Sequence, residues 1–155
     1  MNYDEIADKY VDIVYRTALS YCKNKEDAED VVQNTFVKLL RTNPDFSDEK
    51  HIRHWLIRVA INECKDIWKS FWRKNVTSIE LLECDVEAVP NEQKDLFESV
   101  MKLPSKYSIV LHLYYYEGYH VNEIAALLNI SETNVQTRLM RARKQLKLQL
   151  KEDLE

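Results

Sequence analysis

The stretch GYHVNEIAALLNISETNVQTRLMRARKQL, residues 118–146, predicts two helices joined by a tight turn. Ile124 and Leu128 are four residues apart, the spacing of one helix face. Asn129 follows them, and asparagine tolerates the left-handed backbone in which many helices end. Ser131 suits the N-cap of the second helix, because its hydroxyl can accept a hydrogen bond from an unpaired backbone N–H.

The second helix of this stretch has one apolar face and several polar ones. The residues predicted to face inward are Val135, Leu139, Ala142 and Leu146. The other faces carry amide, hydroxyl and basic side chains, which suit phosphates and base edges. The residues expected to contact DNA are Ser131, Asn134, Gln136, Thr137, Arg138, Met140, Arg141 and Lys144. The pattern predicts a helix-turn-helix whose second helix, residues 131–146, enters the major groove.

The composition favours an all-α protein. The chain has 155 residues with one Gly and three Pro, too few turn residues for an all-β fold. Good helix formers such as Leu, Lys, Glu and Ala are frequent. At this length the chain has room for one domain or two small ones.

The charge is strongly segregated along the chain, although the net charge is only −4. Residues 131–151 hold six basic residues and one acidic residue, and residues 50–74 hold seven basic and two acidic. Residues 76–99 hold seven acidic residues and one basic. Two basic segments therefore flank an acidic connector, a pattern that says more about nucleic-acid partners than the total does.

The three cysteines and the apolar runs indicate a cytoplasmic protein. Cys22, Cys64 and Cys84 are far apart without a C-x-x-C, which is typical of reduced thiols. No signal peptide is evident, and no apolar run approaches the ~18–20 residues of a membrane span. We therefore expect no membrane insertion.

Before residue 43 the sequence predicts two amphipathic helices. The first covers residues 6–22, and Asn24 is placed to cap the second. The residues predicted to be buried in the second helix are Ala28, Val31, Val32, Thr35, Phe36, Leu39 and Leu40. Its outward face is predicted to carry Asp27, Asp30, Gln33, Asn34, Val37 and Lys38. Pro44 then places residues 43–48 in a loop.

A long third helix is predicted over residues 51–74. Two neighbouring apolar stripes contain aromatic residues, including Trp55 and Trp68, and basic residues recur between them. Rings interleaved with cations suit single-stranded nucleic acid. The alternative is that these aromatic residues simply belong to the core.

The rest of the chain predicts a linker and a second helical domain. Residues 76–93 are acidic with weak periodicity, which predicts a flexible linker. A short helix ends near Pro104, and another over residues 106–117 ends at Gly118. We expect an all-α protein of two small helical domains, residues 1–75 and 94–155, the second containing the helix-turn-helix.

Catalytic and metal chemistry find little support in the sequence. His51 and His54 are three residues apart, but no further ligands of suitable spacing accompany them, so solvated or DNA-facing histidines are expected. No phosphate loop, nucleophile elbow or pair of catalytic acids can be assembled. We expect neither an enzyme nor a cofactor.

Together these segments resemble the extracytoplasmic-function group of bacterial sigma factors over nearly the whole chain. DAEDVVQNTF (27–36) is similar to the polymerase-binding helix of that group, and WLIRVAIN (55–62) to its promoter-opening segment. LP (103–104), EIA (123–125) and RLMRAR (138–143) are similar to its reader of the upstream promoter element.

The resemblance implies that the chain is the promoter-specificity subunit of RNA polymerase. The residues implied to bind core polymerase are Asp27, Asp30, Gln33 and Asn34. The loop 42–54 and the following helix would capture bases of the opened strand. The residues implied for that role are His54, Trp55, Asn62, Lys65, Lys69 and Arg73. The second domain would read upstream DNA and touch the polymerase flap, and an anti-sigma factor is an expected partner.

The sequence departs from the family pattern at several positions. An acid is usual at position 34, Thr at 134, Gly at 129 and a basic residue at 136. A response-regulator-type helix-turn-helix transcription factor is the main alternative, but it leaves residues 27–36 and 55–62 unexplained. A third interpretation is a helical adaptor that binds only proteins, which would show no salt-dependent affinity for DNA.

Overall fold

The computed structural model describes residues 1–74 and 94–154, and the side chains of residues 1–69 and 96–152. All regular structure in these ranges is helical, which confirms the predicted all-α class. The chain divides into two compact units, Met1–Glu83 and Cys84–Glu155. The predicted linker, residues 76–93, lies outside the described residues, so its limits and those of the two domains stay a prediction.

The first unit is a bundle of three helices, α1 (Tyr3–Cys22), α2 (Lys25–Thr42) and α3 (Glu49–Lys74), each of which contacts the other two. Each helix buries an apolar stripe, because residues three and four apart share a face. Side chains at the centre of this bundle include Val14, Leu19, Val31, Leu56, Ile57 and Ile61. The bundle leaves the outer faces of α2 and α3 to solvent.

Two asparagines mark where α2 begins and ends, the first through its side chain and the second through its backbone. The Asn24 side-chain oxygen accepts hydrogen bonds from the backbone N–H groups of Glu26, at 2.8 Å, and Asp27, at 3.2 Å. This confirms the predicted cap. Asn43 ends the helix in the left-handed region, with φ 44°. Its N–H donates to the Leu39 carbonyl, and Pro44 starts the loop that leads to α3.

The second unit contains α4 (Lys94–Met101), α5 (Ser105–Leu111), α6 (Val121–Leu128) and α7 (Glu132–Leu154). The helix predicted over residues 106–117 does not stay α-helical. It continues from α5 as a π-helix, His112–Tyr116, in which the Glu117 N–H donates to the His112 carbonyl at 3.0 Å. His112 and Leu113 are both buried, as are the last five residues of α5. Gly118 then ends the segment with φ 72°, as predicted.

The turn between α6 and α7 has the predicted geometry. Asn129 is left-handed, with φ 57° and ψ 49°. The Ser131 hydroxyl accepts a hydrogen bond of 3.0 Å from the Asn134 backbone N–H. At the start of α6 the His120 N–H donates to the Glu123 carboxylate at 3.1 Å. These contacts confirm the helix-turn-helix. Within residues 1–74 and 94–154, every helix is too short or too polar to cross a membrane.

Candidate nucleic-acid and protein interfaces

The outer face of α2 presents the acidic and amide side chains expected there. Asp30, Gln33 and Asn34 are exposed, and Asp27 is half-buried in the first turn. Burial raises the pKa of Asp27 above its ordinary value, and the neighbouring charges of Asp30 and Glu26 raise it further. Because the folded state favours the protonated form, ionised Asp27 lowers the stability near neutral pH. This loss of stability disappears at pH values below the pKa that Asp27 has in the unfolded chain.

The same face is more apolar than the sequence predicts. Leu40 was expected in the buried stripe, and this prediction is wrong: its side chain is 62% exposed. Leu39 already fills the position that faces α1 and α3, and Leu40 is turned about 100° away from it, past the edge that those helices cover. Val37 is exposed on the outer face, as predicted. Val37 and Leu40 therefore add apolar contact area beside Gln33.

A carboxylate from α3 reaches this face of α2. Glu63 accepts a hydrogen bond of 3.4 Å from the Asn34 side-chain amide, and its other oxygen lies 3.5 Å from the Lys38 ammonium. Sequence reasoning missed Glu63, since no pattern within α3 shows which residues lie beside α2.

Three aromatic rings meet where the loop enters α3. Phe46 packs edge-on against His51, with ring centroids 5.2 Å apart, and against Trp55, at 5.9 Å. The Asp48 carboxylate caps the helix by accepting from the His51 backbone N–H at 2.8 Å. The Ser47 N–H donates to the His51 ring nitrogen at 3.2 Å, which orients that ring. Trp55 is thus held half-exposed by Phe46, a residue that the sequence analysis did not single out.

The outer face of α3 carries a basic and polar stripe. Spacings of three and four residues align its members opposite the buried Ile57 and Ala60. The basic stripe consists of His54, Arg58, Asn62, Lys65 and Lys69, all exposed or half-exposed. Arg73 continues the same spacing on the helix, but its side chain lies outside the described residues.

Trp68 belongs to a different side of α3. Its indole N–H donates to the Tyr21 carbonyl of α1 at 3.4 Å, so the ring is tied to the bundle. Trp55 and Trp68 are both half-exposed, but the ring of Trp68 is bonded to α1, whereas that of Trp55 packs against the loop residue Phe46. Cys64 is buried nearby with a free thiol, and burial raises its pKa well above the ordinary value. Such a thiol stays protonated and unreactive.

The predicted DNA-contacting residues lie on the exposed side of α7 and on Ser131, which caps it. Val135, Leu139 and Ala142 face the core of the unit. Thr137, Arg141 and Lys144 point away from them at three- and four-residue spacing. The residues of this surface, all exposed or half-exposed, are Ser131, Asn134, Gln136, Thr137, Arg138, Met140, Arg141 and Lys144.

Two arginines of α7 are already engaged within the unit. The Arg138 guanidinium donates to the Asn134 side-chain oxygen at 3.1 Å, which links two of the residues predicted to contact DNA. Arg143 instead donates to the Tyr115 hydroxyl at 2.6 Å and lies over the rings of Tyr114 and Tyr115. Arg143 thus anchors α7 to the π-helix.

Comparison with known proteins assigns both units. Residues 6–74 match sigma-70 region 2, and residues 93–146 match sigma-70 region 4. The chain belongs to the sigma-70 family of RNA polymerase sigma factors, in its extracytoplasmic-function group, and is therefore a transcription initiation factor. These matches give no support to the alternative of a response-regulator-type transcription factor.

Two curated relatives and one solved structure illustrate the similarity. RNA polymerase sigma factor SigV of Bacillus subtilis is 32% identical over 143 residues, which cover 90% of this chain and 86% of the relative. ECF RNA polymerase sigma factor SigM of the same organism is 32% identical over 154 residues, covering 95% and 94%. The sigma factor RpoE from Bartonella quintana, solved with the anti-sigma factor NepR, shares the fold at 19% identity. Its TM-score is 0.79, with 96% of each chain covered.

Proposed function

We propose that this sigma factor binds core RNA polymerase through the outer face of α2. The observation that carries the proposal is the division of the first unit into an acidic and amide face on α2 and a basic stripe on α3. Carboxylates and amides at the surface can pair with basic groups of a protein partner. Val37 and Leu40 supply the apolar centre that such an interface needs. The polymerase-binding residues are Asp27, Asp30, Gln33 and Asn34.

The aromatic cluster and the basic stripe of α3 hold the opened promoter strand. An unpaired base can stack on the half-exposed ring of Trp55, which Phe46 supports from the side. Further along α3, the cations of the basic stripe can bind phosphates, and the Asn62 amide can form hydrogen bonds with a base edge. The residues assigned to this role are His54, Trp55, Asn62, Lys65, Lys69 and Arg73. Their role is to position strands, and the chain acts in the cytoplasm without being an enzyme.

The helix-turn-helix reads the upstream promoter element from the major groove. Thr137, Arg141 and Lys144 lie opposite the buried stripe of α7, so they can face base edges and phosphates. The Arg138–Asn134 hydrogen bond fixes two further donors and acceptors on the same surface.

A groove in the second unit suits the polymerase flap. Its floor is apolar and is formed by α5, the π-helix and the end of α7. The residues that line it are Leu111, Tyr115, Arg143, Leu146, Lys147, Leu150 and Lys151. The three cations at its rim favour an acidic segment of the flap.

Reconstituted transcription tests the overall proposal. The purified protein, added to core polymerase, is expected to start transcription at specific sites of a genome-derived template pool. Core polymerase alone and core with the Asp30→Ala, Gln33→Ala double variant serve as controls. The second control should lose initiation, because it lacks the α2 contacts but keeps both DNA-binding surfaces. An equal output from all three reactions would contradict the proposal.

We also propose that an anti-sigma factor restrains this protein. One support is the exposed apolar pair Val37 and Leu40, which such a partner can cover in competition with polymerase. The other is that the protein of similar fold was solved in complex with an anti-sigma factor. A tagged chain recovered from its native cells is expected to bring down an additional stoichiometric protein besides polymerase. The Val37→Ser, Leu40→Ser double variant is expected to recover less of both. Recovery of polymerase alone would count against the anti-sigma factor.

A further inference from the structure

One residue outside the predicted polymerase-binding set is built into the same face. Glu63 lies on α3, yet both of its carboxylate oxygens are directed at α2. One accepts from the Asn34 amide at 3.4 Å, and the other lies 3.5 Å from the Lys38 ammonium. The Glu63 side chain is only 19% exposed, whereas that of Lys38 is 54% exposed. The carboxylate is therefore held between the two helices.

The spacing on α2 explains how one carboxylate serves two donors. Asn34 and Lys38 are four residues apart, so their side chains emerge one above the other on the same face. A carboxylate accepts several hydrogen bonds and has no donor of its own. With Nδ2 directed at Glu63, the Asn34 amide has one preferred orientation. The charge at this place is thus supplied by α3, because the α2 residue next to it is a neutral amide.

We propose that Glu63 is a positioning residue of the polymerase-binding face, which sets the orientation of Asn34 and Lys38 and supplies the negative charge beside them. This inference rests on the proposed role of the α2 face. Without the Glu63 carboxylate, the Asn34 amide can rotate and the Lys38 cation moves away from the face. Core polymerase then meets a more disordered and less acidic surface.

Exchange of the amide and the carboxylate provides a sharp test. Glu63→Gln removes the charge and keeps the shape, and is expected to weaken the affinity for core polymerase about two- to fivefold. Asn34→Asp alone places two carboxylates next to each other and is expected to weaken it at least as much. The Asn34→Asp, Glu63→Gln double variant again has one carboxylate and one amide at these two positions. Its carboxylate is at position 34, four residues before Lys38 on the same face of α2. Its affinity is expected to return to within about twofold of the wild type.

The matched control is Glu49→Gln. Glu49 also lies on α3 and forms an exposed ion pair, with Lys9 at 2.6 Å, but away from Asn34. Its replacement should leave the affinity for polymerase unchanged. Fluorescence titration of each labelled full-length variant with core polymerase measures the affinities, and thermal unfolding shows whether a variant is damaged in its fold. The exchange also rebuilds the amide–carboxylate hydrogen bond between the helices. A purely structural role would therefore appear as a lower unfolding temperature of Glu63→Gln that accompanies its loss of affinity, whereas a positioning role predicts the loss of affinity at an unchanged unfolding temperature.

The binding results separate the role of Glu63 from the role of the α2 face. If Asp30→Ala, Gln33→Ala weakens binding but Glu63→Gln does not, Glu63 has no positioning role while the proposed α2 face stands. Equal losses in Glu63→Gln and Glu49→Gln, or no rescue in the exchange variant, also overturn the inference. If Asp30→Ala, Gln33→Ala binds core polymerase like the wild type, the α2 face itself is wrong and the inference falls with it.

Discussion

Replacement of Trp55 by alanine is expected to lower the equilibrium constant for promoter opening by roughly five- to 150-fold. Loss of one base–ring stacking contact costs about 1–3 kcal/mol, which corresponds to that range. Trp55 is half-exposed and is supported edge-on by Phe46, so its ring is available at the start of α3. Reactivity of promoter thymines toward permanganate measures the opened fraction. The affinity of the variant for core polymerase is expected to stay unchanged.

Two ring-retaining variants serve as controls for this result. Trp55→Phe keeps a ring for stacking and should retain most of the opening. Trp68→Phe loses the hydrogen bond to Tyr21 on the bundle side of α3, and should lower the thermal stability without changing the permanganate pattern. Promoter opening by Trp55→Ala at the wild-type level would show that no base stacks on this ring.

The second large effect is expected at Arg141. Arg141→Ala should weaken binding of the holoenzyme to its upstream element by about 1–3 kcal/mol and relax the preference at one base pair. Arg141 is exposed on the outward face of α7, between Thr137 and Lys144, where an arginine can form two hydrogen bonds with a guanine. Selection of bound sequences from a library with a randomised upstream element measures both effects.

Arg143→Ala is the matched control on the same helix. Its guanidinium is bonded to Tyr115, so the variant should unfold at a lower temperature but select the same base pairs as the wild type. A loss in Arg141→Ala that is uniform across all library sequences would make Arg141 a phosphate contact and would contradict its role as a base reader.

The features that could be predicted from the sequence depend on local chemistry. The cap of Asn24, the left-handed turn at Asn129 and the cap of Ser131 are all decided within four residues along the chain. Helical spacing likewise identifies the buried stripe of α7, because the period of 3.6 residues determines which side chains share a face. The family resemblance supplied the order of these parts and is confirmed by the two matched regions.

The features that could not be predicted depend on neighbouring helices. The spacing of Leu40 fits a buried stripe. Only the positions of α1 and α3 show that neither helix covers its side chain. The contact of Glu63 with Asn34 joins residues 29 positions apart. The π-helix at His112–Tyr116 has no marker such as Pro or Gly within it. Phe46 is a single aromatic residue in a polar loop, and its packing on Trp55 depends on how that loop folds back.

α3 gives the first unit a mechanical property as well as a chemical one. Its 26 residues form one continuous rod of about 39 Å. Trp55 and Lys69 lie on this rod, and so does Glu63, which borders the polymerase side. A rod without an internal joint transmits displacement along its length. Glu63 lies between Trp55 and Lys69 along this helix. With the roles proposed above, polymerase binding and strand binding therefore share one rigid element, so a displacement of α2 and α3 by polymerase would also move the strand contacts.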